Sequence, residues 1–168
     1  MNYIGIDPGL KGGLALLTEG YGDLVFSMPT IKTTKGKKTA ETINLPLLVE
    51  MLEQFARKGG TVFLEKVGAM PKQGVSSTFK FGTGYGQIQG VLATLRMPFE
   101  LVTPQQWMKV VLAGYGKGGN TKASIQYVMQ KFPGVSLFAT NRSRRPSDGM
   151  ADAICLAEYG RLRHGGTR

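Results

Sequence analysis

The sequence predicts an α/β fold built on a mixed five-stranded sheet. Three observations carry that expectation. Residues 2–7, 12–18 and 23–28 are short apolar runs separated by brief Gly-containing turns, and strands joined so tightly pair antiparallel. Two more short apolar runs, TVFLEKV and FELVT, are each preceded by a segment of helical spacing, the pattern of crossover connections. At 168 residues, with no internal repeat and no linker-like boundary, the chain is sized for one domain, 1–168, with a substantial core.

Each element has its own local reason. Pro29 ends the antiparallel meander. The stretch 31–41, IKTTKGKKTAE, lacks an apolar period and is expected to be a mobile loop. Over 44–57, Leu45, Leu48, Val49, Leu52 and Phe55 recur on one helical face, Asn44 is placed to cap the start, and Gly59-Gly60 stop it. TVFLEKV is the fourth strand, closing on Glu65 much as the first closes on Asp7. Residues 76–95 have a helical pattern in spite of Gly82, Gly84, Gly86 and Gly90. Those glycines do not join a strand to a helix and no ribose-binding acid follows, so they do not read as a dinucleotide site; they suit close helix packing. FELVT is the fifth strand. Pro104 opens a short helix bearing Trp107, read as core, and Lys109. AGYGKGGN is a flexible break, 121–131 another helix, and 139–147 a basic loop. Ser147 caps a last helix over 148–163, whose Cys155 reads as a packed thiol.

Composition narrows the chemistry. Lys and Arg number 21 against 11 Asp and Glu, a net charge of +10 and a pI near 9.9. The excess is clustered: Lys32, Lys35, Lys37 and Lys38; Arg142, Arg144 and Arg145; Arg161, Arg163 and Arg168. A small basic domain of this kind meets a polyanion, with nucleic acid the leading candidate. Cys155 is the only cysteine and His164 the only histidine, which excludes an internal disulfide and multi-thiolate zinc; a metal would rely on oxygen ligands. No run of about 18 apolar residues and no signal-peptide pattern is present, so a cytoplasmic protein without a membrane span is expected.

Four acids stand out by position. Asp7 and Glu65 end strands that read as buried; Asp148 and Asp152 open the last helix. Singly, each has a structural reading: Asp7 capping an Asp-Pro-Gly turn, Glu65 pairing with a lysine, Asp148 facing the helix N-terminus. Together they suggest more. The carboxyl ends of adjacent strands are where an α/β sheet places ligands. Asp148 and Asp152, at i and i+4, share a helical face where like charges repel unless a cation intervenes. Mg2+ suits such an all-oxygen set, and two ions about 3.5–4 Å apart can clamp a phosphodiester displacement. These features point to a metal-dependent nuclease without an organic cofactor.

IGIDPGLKGGLALL, VFLEKV and SDGMADAICLAEYG, in this order and over this length, resemble the RuvC family of Holliday-junction resolvases, and SSTFKFGTGYGQIQGVL resembles that family's helix after the second catalytic strand. TPQQWMKVVLAG and NTKASI resemble the region carrying its DNA-binding lysines. The resemblance implies a ribonuclease-H-like fold and a homodimer joined through the glycine-containing helix. It implies an endonuclease that resolves four-way or branched DNA by paired symmetric nicks, leaving a 5′-phosphate and a 3′-hydroxyl, with Mg2+ as cofactor and Mn2+ as a substitute. Asp7, Glu65 and Asp152 match the metal ligands, and Lys109 and Lys122 the residues that hold the phosphate backbone. The family's remaining ligand is expected three residues before the last, where this chain has Gly149; Asp148, four before, keeps the same helical face and is carried as the fourth. The compact chain and this spacing suit a phage-type member. Lys11 on the Gly-rich turn, where a DNA backbone could approach closely, and Arg144 in the basic loop are further candidates for DNA contact. Phe79 is a candidate for wedging against bases, with core or interface packing as its alternative. Other readings of the whole chain are a related enzyme acting on flaps or RNA and a catalytically silent junction-binding protein.

Overall fold

The computed structural model describes residues 1–18, 22–36, 38–68, 74–115 and 122–165. The chain runs β1 (Asn2–Asp7), β2 (Gly13–Thr18), β3 (Leu24–Ser27), β4 (Thr30–Lys35), β5 (Lys38–Ile43), α1 (Leu45–Lys58), β6 (Thr61–Glu65), α2 (Val75–Thr94), β7 (Phe99–Val102), α3 (Pro104–Val111), α4 (Ala123–Lys131) and α5 (Asp148–His164). The five-stranded mixed sheet expected from the sequence is present, in the order β3-β2-β1-β6-β7. The central strand β1 pairs antiparallel with β2 and parallel with β6, and β6 pairs parallel with β7.

Side chains on β1 alternate between two cores, as the pleat requires. Ile4 and Ile6 join Leu14, Leu16, Leu48, Leu52, Ile88 and Leu92 on the side covered by α1 and α2. Tyr3 joins Phe63, Trp107, Val128, Ile154 and Tyr159 on the side covered by α3, α4 and α5. With both faces covered, β1 and β2 read as continuous apolar runs. Asn44 and Ser147 cap where the sequence places them, accepting from Leu47 N and Met150 N, and Thr103 and Gln106 add a capping box at the start of α3. Among the described residues no helix is long and apolar enough to cross a membrane.

One local expectation fails. Residues 31–41 are not a mobile loop: β4 and β5 form a separate two-stranded ribbon, in register from Thr30 opposite Ile43 to Lys35 opposite Lys38. The stretch is rich in β-branched Thr and Ile, which favour extended backbone. It lacks an apolar period because both faces of the ribbon are largely exposed, so there is no core side to imprint one. Only the root is anchored, by buried Ile43 and by Asn44 N donating to Pro29 O at 2.9 Å. Lys37, residues 116–120 of the expected flexible break, Thr121 and Arg168 lie outside the described residues.

The glycines of α2 do not pack as a set within the chain either. A Cβ on Gly84 would touch Ile43, whereas around Gly82, Gly86 and Gly90 nothing lies within 4 Å. The close approach occurs instead under α5. A Cβ on Gly5 would be driven into the Ala153 carbonyl oxygen, and one on Gly149 into the carbonyl of Lys11 and the Cα of Gly12. Backbone therefore lies directly on backbone where α5 crosses β1 and the turn that follows it. Gly13 serves the same contact, since a Cβ there would meet the backbone of Gly149 and Met150, while Lys11 on the turn stays exposed.

Gly149→Ala is therefore expected to destabilise. Forcing a methyl between two backbones costs about 1–3 kcal/mol, a fall of about 2–12 °C in Tm for a chain of this size. Thermal unfolding of the variant beside the parent measures it, and an unchanged Tm contradicts the close packing.

Candidate active site

β1 and β6 are parallel neighbours, so Asp7 and Glu65, the last residue of each, emerge at the same end of the sheet. The two-fold side-chain alternation and the turn after β1 hold Asp7 in place: Gly9 N donates to Asp7 Oδ1 at 3.2 Å. Glu65 accepts at Oε1 from the indole Nε1 of Trp107, 2.9 Å away. α5 starts at this end of the sheet and carries Asp152 in its second turn. Asp7, Glu65 and Asp152 are all half-buried.

Electrostatics ties these three together. Burial, opposed by the Gly9 amide and reinforced by Asp152, pushes Asp7 from 3.8 up to about 6. Burial, opposed by the Trp107 indole and reinforced by Asp7 and Asp152, pushes Glu65 from 4.5 up to about 7. Asp152 is also raised by burial, against a hydrogen bond from buried Ser124 and the charge of Lys122. Each acid is thus desolvated and only partly compensated: Asp7 feels Asp152, Glu65 feels Asp7 and Asp152, and Asp152 feels Asp148.

Asp148 stands apart. Its side chain is 53% exposed against 17% for Asp152, and its charge acts on Asp152 and Lys122. The position one residue later, nearer the other acids in the expected spacing, is Gly149, which backbone contact closes to any side chain. Lys122 lies in the acid cluster itself: its ammonium is 3.2 Å from Asp148 Oδ2 and 3.6 Å from Asp152 Oδ2.

The donors match a hard divalent cation in kind: half-buried oxygen ligands whose mutual repulsion a cation relieves. They are not gathered into a closed shell. Among the described residues no three His, Cys, Asp or Glu side chains sit close enough together to hold a metal ion. Glu65 is engaged by Trp107, and Asp152 by Ser124 and Lys122.

Two recesses lie near the start of α5 and the turn after β1, and of the four acids only Asp148 borders one of them. A cleft of about 1020 Å³ is bordered by Lys11, Lys122, Arg145, Thr30 and Asp148, with Leu10 at its lip. Leu10 also borders a largely apolar groove of about 790 Å³ with Pro8, Ile31, Phe79 and Phe81. Phe79 is 75% exposed, so it is not core. Arg144 is exposed beside Arg145, and Lys109 is exposed on α3. The charge near the C-terminus lies elsewhere: Arg161 donates through Nε and Nη2 to buried Glu158, each at 2.6 Å, far along α5 from Asp152. Trp107, Ser124 and Arg145 were not singled out by sequence as site residues. Only Trp107 carried a signal, since a fully buried indole N–H needs an acceptor.

The architecture has known counterparts. A Thermus thermophilus RuvC structure superposes with a TM-score of 0.59 at 20% identity, covering 98% of this chain and 97% of that one. T. thermophilus RuvC in complex with a Holliday junction substrate gives 0.57 at 13% identity, over 98% and 96%. No family model and no curated protein sequence matches. The chain has the RuvC, ribonuclease-H-like fold.

The raised acids make a pH prediction for the metal-free protein. Asp7 and Glu65 bind protons more tightly folded than unfolded, so their stabilising contribution is full below about pH 4 and lost as pH rises through 6 to 7. For Asp7, a change from 3.8 to about 6 corresponds to about 3 kcal/mol. Urea unfolding in EDTA from pH 4.5 to 8 is expected to show that decline, and Asp7→Asn to flatten it and be the more stable protein at pH 8. A steeper decline in the variant contradicts the assignment.

Proposed function

We propose that this chain is a divalent-metal-dependent endonuclease that resolves four-way or branched DNA by paired symmetric nicks, working as a single nuclease domain within a homodimer. The observation that carries the reading is the set of three half-buried carboxylates, Asp7, Glu65 and Asp152, at the carboxyl end of the central strands, linked to a basic cleft through Lys122, which borders that cleft and lies 3.6 Å from Asp152. A counterpart of the same fold, T. thermophilus RuvC in complex with a Holliday junction substrate, supports the choice of substrate.

In this reading Asp7, Glu65 and Asp152 would hold the cation, Mg2+ or Mn2+ and two per site. The metal would supply charge neutralisation and activation of a water for in-line attack on phosphorus. The remaining roles fall to side chains of this chain. Trp107 Nε1 orients Glu65 and favours its ionised form. Ser124 orients Asp152. Lys122 neutralises the acid cluster in the metal-free protein and borders the cleft in which a phosphate would lie. Lys11, Arg144, Arg145 and Lys109 contact the DNA backbone, and Phe79 meets bases exposed at the branch. Asp148, exposed and bound to Lys122, acts from the rim by holding that ammonium. The uncovered face of α2 at Gly82, Gly86 and Gly90 joins two copies, and a two-fold dimer presents one site to each of two opposed strands of a junction.

Cleavage of labelled four-way, flap, duplex and RNA substrates with Mg2+ or with EDTA tests the reading. The four-way substrate is expected to be cut symmetrically and only with metal. Preferential cutting of flaps or RNA, or binding without cutting, overturns it. Within the same assay Asp7→Asn is expected to lose more than about 100-fold in rate while binding the junction as before, because phosphate contacts from Lys and Arg dominate affinity. Asp148→Asn is expected to lose about 10–100-fold and to recover much of it at high Mg2+, as for a residue acting through another. Trp107→Phe, which removes the donor to Glu65, is expected to move the acidic limb of the pH–rate profile to higher pH; an unmoved limb removes Trp107 from the site.

A further inference from the structure

Building on the nuclease reading, we propose that the β4–β5 ribbon is an arm that grips the phosphate backbone of a duplex branch of the substrate, away from the point of cutting. The ribbon hydrogen-bonds to neither edge of the main sheet. A lone two-stranded ribbon is marginally stable in water, and its open edges are a liability that a chain retains for a use. Its charge fits that use. Along Thr30–Ile43 the sequence sets Lys32, Lys35 and Lys38 against a single acid, Glu41, which stands opposite Lys32 and whose carboxylate accepts from the Thr30 hydroxyl at 2.8 Å. Lys35 and Lys38 are register partners at the far end. Like charges placed opposite each other destabilise a strand pair, and a polyanion relieves that repulsion.

Position supports the same conclusion. The root of the ribbon is fastened beside the acids: Met28 N donates to Gly12 O at 3.0 Å, and Thr30 borders the basic cleft with Lys11 and Lys122. Six residues at about 3.3 Å each carry the ribbon about 20 Å from that root. At about 3.4 Å per base pair this spans about six base pairs of a duplex lying alongside. The composition selects duplex backbone over unpaired strand. Residues 30–43 contain no aromatic side chain on which a base could stack, and are mostly Thr and Lys, which suit phosphate contact. A two-stranded ribbon also matches the width of the major groove.

The test is the combined variant Lys32→Gln, Lys35→Gln and Lys38→Gln in the full chain, with Tm measured as a check on folding. Binding to a four-way DNA junction is followed by fluorescence anisotropy in EDTA across a salt series, and backbone protection by hydroxyl-radical footprinting. The variant is expected to bind more weakly, with a slope of log affinity against log salt shallower by about 2–3. It is expected to lose protection about six base pairs from the branch while keeping it at the branch, and to cut bound junction at the parent's rate. An unchanged slope, or an unchanged distal footprint, overturns the proposal. If the parent cuts junctions and the variant's slope is unchanged, the ribbon assignment alone falls. If the parent neither binds nor cuts junctions, both it and the nuclease reading fall.

Discussion

Everything at the acid cluster depends on the backbone of α5 lying directly against β1 and the turn after it. Gly5 and Gly149 make this possible, because a Cβ at either position would enter the opposing main chain. The helix therefore approaches closely enough to bring Asp152 into the electrostatic field of Asp7 and Glu65. The same contact explains the spacing of the acids on α5. Position 149 admits no side chain, so a carboxylate cannot stand there. The acid at 148 projects past the turn to the rim, where it meets Lys122.

That approach has an electrostatic cost. Three carboxylates share a poorly hydrated corner, and each is only partly compensated: Asp7 by one amide, Glu65 by one indole, Asp152 by a hydroxyl and a lysine. Folding retains the strain because the sheet and α5 bury enough apolar surface on both sides to outweigh it. A site that destabilises its own fold until a cation or substrate arrives is a common trade of stability against function. Protons compete for the same oxygens, since burial moves Asp7 to about 6 and Glu65 to about 7.

The surface around the acids is organised by the short segment from Pro8 to Lys11. Leu10 lies between the basic cleft and the apolar groove, and the root of the ribbon borders both. Positive charge is thus divided by task. Lys11, Lys122 and Arg145 border the cleft, and Lys32 stands exposed on the ribbon. Arg161, by contrast, is held by Glu158 at the other end of α5 and serves the fold.

Short-range patterns made the fold class, nearly every helix and the five sheet strands legible in the sequence, because apolar period, caps and glycine stops act over a few residues. They also marked Asp7, Glu65, Asp148 and Asp152, since a carboxylate at the end of a buried strand or at the start of a helix is conspicuous without any partner in view. The ribbon escaped notice because a strand exposed on both faces carries no apolar period. Only the tertiary structure decided which groups meet: Trp107 with Glu65, Lys122 with Asp148 and Asp152, Gly149 with the carbonyl of Lys11. Those partners lie in different elements, and their meeting is set by how closely α5 and α3 pack across the sheet, a distance that no local pattern of residues encodes.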